Sequence, residues 1–362
     1  MKIAFLSYLS GFGGAEKQNI LLANEMVARG HEVILISICD NNMCYDLDSR
    51  VKYIFLPDKN KGVFRFLSRF IDIKATLEDI KPDITVNFWF QSAYLTAIMK
   101  KSITGKIIYS ERGDPGDKEY SGVLGIVRKI IFPRIDGFVF QSEGAKQFFD
   151  KQIQEKSIII HNPVFINRNE YPIISERSKR IVTMGRLHKQ KNQKLLIDAF
   201  SRIADEFFDY SLEIYGDGEL KSELQRQIQS YNLEKRIFLK GARKDIHSSI
   251  YDASLFILSS DYEGLPNALI EAMALGIPCI STDCKPGGAR EIINDNEDGL
   301  IVKINDAEAL SYAIKYVLEN SDFADKLSKN ALKNISRFNS KVIYNNWSDY
   351  MKKILEVNNE KK

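Results

Sequence analysis

Cysteine, histidine and an excess of charge of one sign are all scarce in this chain, and each scarcity closes a class of function. The four cysteines among 362 residues, Cys39, Cys44, Cys279 and Cys284, contain no C-x-x-C pair. The four histidines are not spaced with them as zinc ligands, so reduced thiols in a cytosolic protein are expected, with no metal and no cofactor. A formal net charge of +3 with 27% charged residues gives no global basic surface for nucleic acid, although local basic patches remain open. Apolar runs of the ~18 residues that a spanning helix needs are also missing. Met1-Lys2 runs straight into Ile3-Ala4-Phe5-Leu6-Ser7-Tyr8, too short for a signal-peptide core. The expectation is a cytoplasmic protein, soluble or peripheral on the inner face of the cell membrane.

What is present is a repeated α/β pattern, long enough for two domains. Ile3 to Tyr8 reads as a strand, Ala15 to Arg29 as a helix stopped by Gly30, and Val33 to Ile38 as the next strand. Further strands are read at 84–90, 106–109, 137–142 and 157–160, and after a polar linker at 181–184, 212–218, 237–242, 255–260 and 277–282. The final helix, about 341–357, carries Ile343, Trp347 and Tyr350 at helical spacing, a core stripe.

The stretch 261–276 is organised as a strand-loop-helix corner, with Pro266 marking the helix start and Gly276 its end. Such corners offer backbone N–H groups and a partial positive charge to anions outside the carboxyl ends of the strands. Glu271 is the only charge in an otherwise apolar helix, which is therefore expected to be buried, and Asn267 lies one turn ahead of it on the same face. Glu263 sits in the loop. Two carboxylates that accept hydrogen bonds from hydroxyls, flanking a phosphate-cradling helix start, suit a nucleotide-sugar. The competing reading is structural, with Glu263 capping the helix and Glu271 paired to an arginine. Arg186 and Lys191, in one strand-end loop, can neutralise a diphosphate, the guanidinium as a fork and the ammonium as a point charge.

Glu263-Gly264-Leu265-Pro266-Asn267-Ala268-Leu269-Ile270-Glu271 resembles the glutamate-seven-residues-glutamate signature of the retaining glycosyltransferases of family 4, which have the two-domain GT-B fold. The resemblance implies an α/β protein with two Rossmann-like domains facing across a cleft. Residues 1–165 would bind the acceptor, 166–179 link, 180–338 bind the donor, and 339–362 return as a helix to the first domain. Arg186 and Lys191 match the family's donor-phosphate element, with Asn192 where many members have glycine. The resemblance further implies donor contacts at Gly14, Gly241, Ala242, Arg243 and the helix start from Gly264 to Leu269. It implies a loop, Gly13-Gly14-Ala15-Glu16, facing donor diphosphate and acceptor. Ser110-Glu111-Arg112 stands where members often place a histidine; Arg112 is read as a phosphate- or acceptor-binding group and Glu111 as a possible base.

The function implied is metal-independent, retaining transfer of a hexose or N-acetylhexosamine from a nucleotide-sugar, UDP-linked, to a polyprenyl-diphosphate-linked saccharide in surface polysaccharide synthesis. Segments 59–74 and 118–134 combine basic rows (Lys61, Arg65, Arg69; Arg128, Lys129, Arg134) with apolar positions (Phe64, Leu67, Ile71; Val123, Leu124, Ile126, Val127, Ile130, Ile131). They read either as helices on an anionic membrane surface or as ordinary helices burying their apolar side. Two rivals for the whole chain are a nucleotide-sugar epimerase and a non-catalytic accessory subunit of a glycosyltransferase complex.

Overall fold

A computed structural model describes residues 1–9, 11, 14–113, 115–116, 122–167, 169–174 and 176–356. They form two compact units, Met1–Asn162 with Lys341–Lys362, and Pro163–Ser340. The first unit is built on β1 (Lys2–Leu9), β2 (Glu32–Asn41), β3 (Lys52–Leu56), β4 (Ile84–Asn87), β5 (Lys106–Ser110), β6 (Gly137–Phe140) and β7 (Ser157–Ile159). All pair in parallel, in the order β3-β2-β1-β4-β5-β6-β7.

Parallel sheets are covered on both faces, so their central strands are apolar throughout, and strand alternation divides the side chains between two cores. Ile3 and Phe5 of β1 enter one core, Ala4 and Leu6 the other. The first core is closed by the helix Gly14–Ala28, through Ile20, Ala23 and Met26, and by the last helix Ser340–Glu356. The second takes Ile73, Leu77 and Ile80 of the helix Gly62–Ile80, with Ala93, Tyr94 and Ala97 of Phe90–Ile98.

The last helix is locked onto the sheet by two aromatic side chains. Trp347, 2% exposed, stacks on Phe88 with ring centroids 6.1 Å apart. The Tyr350 hydroxyl accepts from the Phe138 N–H at 2.9 Å and donates to the Lys156 carbonyl. Residue 137 must be glycine, because a Cβ there would lie 2.7 Å from that hydroxyl and 2.9 Å from Ile354 Cδ1.

The second unit carries β8 (Ser178–Met184), β9 (Ser211–Tyr215), β10 (Ile237–Gly241), β11 (Ala253–Leu258), β12 (Cys279–Thr282) and β13 (Leu300–Val302). They too pair in parallel, in the order β10-β9-β8-β11-β12-β13. Part of the stretch read as a linker is integral to this unit. Arg177 donates to the carbonyls of Tyr251, Ala253 and Gly276 at 3.2, 3.1 and 2.5 Å, and Ser178 already opens β8. All four cysteines are free, and burial pushes the Cys284 thiol up to about 12, which leaves it inert.

Trp347→Ala is expected to destabilise the first unit by about 3–5 kcal/mol, the cost of deleting a fully buried aromatic ring. Gly137→Ala should destabilise it too, by displacing Tyr350. Urea unfolding followed by tryptophan fluorescence for the glycine variant, and by circular dichroism for both, measures these losses.

Candidate active site

Strand order reverses between β8 and β11, and at such a switch point the loops leaving neighbouring strands diverge to leave a crevice. Gly185-Arg186 follows β8, and Ser259 to Pro266 follows β11. Glycines let these loops and their neighbours approach. A Cβ on Gly216, just past β9, would lie 1.9 Å from the Gly185 carbonyl oxygen, and one on Gly288 would lie 2.3 Å from that of Gly264.

Lys191 ends the short turn Lys189–Lys191, and its stem passes over Gly185, where a Cβ would stand 3.2 Å from Lys191 Cε. Asn192 follows with φ +43°, a left-handed conformation that asparagine tolerates better than other non-glycine residues. This accounts for asparagine where the resemblance expects glycine. Its side chain accepts from the Leu195 N–H at 3.3 Å, capping the next helix, and donates to Asp261 at 2.7 Å, tying the two loops together.

The Lys191 ammonium is ion-paired and hydrogen-bonded to Glu263 Oε1. The Ser260 hydroxyl donates to the same oxygen at 2.8 Å, and the Glu263 N–H donates to the Lys285 carbonyl at 2.7 Å. Their side chains are only 17% and 10% exposed, so each charge depends on the other. Glu263 is thus no helix cap.

A pocket of about 410 Å³ gathers Arg186, Lys191, Ala242, Arg243, Ala268 and Glu271 on its wall. Arg186 and Arg243 are exposed. The helix Asn267–Ala274 begins after Pro266, which offers no capping side chain, and ends in a left-handed Gly276. The Gly276 and Ile277 N–H groups close back on the Met273 and Ala272 carbonyls at 2.9 and 3.1 Å, a Schellman stop.

Expectation and structure part on this helix. It is not buried on every face: Ala268 and Glu271, three residues apart, share the pocket side, and the Glu271 side chain is 21% exposed. Its carboxylate meets His247 Nε2 at 3.3 Å. Leu265 and Leu269 turn into the core at 6% and 0% exposure, and the Leu269 N–H is used on the Pro266 carbonyl at 3.0 Å. Gly264 backs against Gly288, and the Gly241 carbonyl accepts the Gly216 N–H at 3.0 Å. These four shape the site without lining the pocket.

In the first unit, Gly14 opens its helix with an exposed backbone and Glu16 lies in the first turn; Gly13 is outside the described residues. Glu111 and Arg112 are a correction. Glu111 is 4% exposed; Oε2 accepts the Tyr109 hydroxyl at 2.7 Å, and Oε1 accepts the Arg112 and Gly113 N–H groups at 3.0 and 2.9 Å. That carboxylate anchors a loop and is not placed as a base. The Arg112 guanidinium lies over Phe88 at 4.3 Å and donates to Asn162 at 2.6 Å, and burial pulls its pKa down to about 9.

Residues 12–168 match the family model "Glycosyltransferase Family 4", and residues 167–334 match "Glycosyl transferases group 1". The chain belongs to glycosyltransferase family 4. It is 25% identical, over 99% of both chains, to the GalNAc-alpha-(1->4)-GalNAc-alpha-(1->3)-diNAcBac-PP-undecaprenol alpha-1,4-N-acetyl-D-galactosaminyltransferase of Campylobacter jejuni. Over 40% of this chain and 38% of the other it is 33% identical to the UDP-Gal:alpha-D-GlcNAc-diphosphoundecaprenol alpha-1,3-galactosyltransferase of Escherichia coli. Among solved structures, HepE of Anabaena in complex with UDP and glucose superposes with a TM-score of 0.81, covering 98% of this chain and 100% of that one at 19% identity. The two parallel sheets are therefore those of a GT-B glycosyltransferase, and the enzymatic reading displaces the epimerase and accessory-subunit alternatives.

For this glycosyltransferase, Lys191→Met should cost roughly 3 kcal/mol by leaving Glu263 buried without its cation. The double variant Lys191→Met/Glu263→Gln should recover most of that loss. A double-mutant cycle by urea denaturation measures the coupling, and additive losses would show that the pair is not energetically joined.

Proposed function

We propose that this glycosyltransferase moves a hexose or N-acetylhexosamine from a UDP-sugar to a polyprenyl-diphosphate-linked saccharide, retaining the configuration of the sugar, in the synthesis of a surface polysaccharide. The observation that carries the reading is the pocket that sets Arg186, Lys191 and Arg243 beside Ala268 at a helix start, with Glu271 on the same wall. The names of the Campylobacter and Escherichia relatives support the lipid-diphosphate acceptor, and the second of these and the HepE complex support UDP.

The pocket's cations receive the diphosphate, and Glu271 accepts hydrogen bonds from the ribose hydroxyls. Arg243 and the exposed Ala242 flank the base. As the bond between the anomeric carbon and the phosphate oxygen breaks, its electron pair leaves with UDP. Arg186, Lys191 and the first turn of the helix stabilise that charge, an electrostatic contribution that commonly dominates such catalysis. The acceptor hydroxyl forms the new bond from the face the diphosphate vacates, and its proton passes to the departing phosphate. Glu263 holds Lys191 in position and borders the donor sugar. Residues of the first unit, from Gly13 to Glu16, would meet the acceptor.

A peripheral, cytoplasmic-face membrane location completes the reading, and the structure sharpens which residues would carry it. On the helix Gly62–Ile80, Phe64, Phe66, Leu67 and Ile71 are 72%, 53%, 53% and 55% exposed; on Gly122–Ile131, Leu124, Ile126 and Ile130 are 50%, 63% and 63% exposed. The core side of the first helix is supplied by Ile73, Leu77 and Ile80, and that of the second by Ile131 with Val127 packed beside it. The basic rows are thinner than the sequence suggests. Arg69 is held by Asp58 through two 2.6 Å bonds, and Arg128 is buried, donating to the Pro115 carbonyl at 3.1 Å. Lys61, Arg65, Lys129 and Arg134 remain exposed. Residues 118–121 of the second segment lie outside the described residues.

Two measurements follow. Arg186→Ala and Lys191→Ala should each lower kcat by about 10²–10³-fold with a UDP-sugar and an undecaprenyl-diphosphate-linked saccharide; undiminished transfer would contradict the assignment. Phe64→Ser/Leu67→Ser should weaken sedimentation with anionic phospholipid vesicles by more than about tenfold, given ~1.5–3 kcal/mol for each apolar side chain buried. Binding that survives the substitutions but vanishes in high salt would leave only the electrostatic component.

A further inference from the structure

His247 lies outside every sequence motif of the site, yet it touches Glu271 directly. It sits on the short helix Ile246–Ile250, and its Nε2 stands 3.3 Å from Glu271 Oε2. A carboxylate only accepts, so this nitrogen carries the hydrogen. Both side chains are about one-fifth exposed, 23% and 21%. They therefore meet at the pocket margin and not in the core.

The histidine is itself held from behind. Asp245 caps its helix, accepting the Ser248 N–H at 3.2 Å, and accepts the Tyr171 hydroxyl at 3.0 Å. The Tyr171 ring meets the His247 ring edge-on, with centroids 6.0 Å apart at 81°. A carboxylate on a helix can swing among several rotamers, and fixing one of its oxygens fixes the direction in which the group can accept. That direction matters most for a ligand presenting two adjacent hydroxyls.

We propose that His247 is a positioning residue for Glu271, holding the carboxylate in the orientation that accepts both ribose hydroxyls of the nucleotide, with Tyr171 and Asp245 steadying the imidazole. The inference rests on the reading of Glu271 as the ribose acceptor. Its consequence is selectivity for ribose, separable from affinity for the diphosphate.

The test is isothermal titration calorimetry of the full chain with UDP and with 2′,3′-dideoxyuridine diphosphate. Wild type should bind UDP at least about tenfold more tightly than the dideoxy nucleotide, and Glu271→Ala should bring the two within about threefold. His247→Phe should collapse the ratio in the same way while leaving affinity for the dideoxy nucleotide unchanged. His247→Gln, whose amide can still donate, should keep most of the preference. If His247→Phe retains the wild-type ratio while Glu271→Ala loses it, the inference fails and the ribose reading stands. Equal weakening of both nucleotides by His247→Phe would show a merely structural role and overturn it. A wild type that prefers neither nucleotide, or a Glu271→Ala variant that keeps the preference, removes the ribose reading and the inference with it.

Discussion

The active site depends on how closely the loops of the second sheet approach one another at the switch point. Gly216 meets the Gly185 carbonyl, and Gly288 meets that of Gly264, at distances no side chain permits. These contacts seat the β9 loop on the β8 loop and the β12 loop on the β11 loop, and because β8 and β11 are neighbouring strands Lys191 pairs with Glu263 in a nearly dry setting. A cation held this way is fixed before any substrate arrives, and fixed charge needs little reorganisation when a leaving group departs. Asn192 belongs to the same device, since its left-handed backbone ends one turn and its side chain bridges to Asp261.

Much of this was legible from the residues. The strand-loop-helix corner around Glu263, the Arg186 and Lys191 loop and the parallel α/β character all follow from apolar runs broken by glycine and proline. Strands β3 and β13 are not read from the sequence, since both are short edge strands, of five and three residues. The burial of the glutamate helix was overread. An apolar helix with one carboxylate looks buried all round in sequence, but its alanines leave room for a pocket beside Glu271. His247 carries no local signal, because its role comes from a contact across the fold and not from spacing.

The first unit teaches the opposite lesson. Glu111 and Arg112 have the residue types of a site and the loop position of a site, yet their charges are spent on the fold. Glu111 gathers a tyrosine hydroxyl and two backbone amides, and Arg112 packs over Phe88 beside Trp347 of the last helix. A loop-mouth Arg–Glu pair is ambiguous until its partners are known. Conversely, the exposed apolar residues of the helices Gly62–Ile80 and Gly122–Ile131 look like core stripes in sequence and lie outside the core of their unit. In each case the decision rests on which other element claims the side chain.

The central claim is that the diphosphate of the donor rests on Arg186, Lys191 and the start of the helix Asn267–Ala274. A crystal structure with UDP bound tests it most directly. The account predicts the β-phosphate within hydrogen-bond distance of both side chains and of the first-turn amides, with the ribose hydroxyls at Glu271. A diphosphate bound elsewhere in the second unit, or only at the glycine loop before the helix Gly14–Ala28, would contradict it.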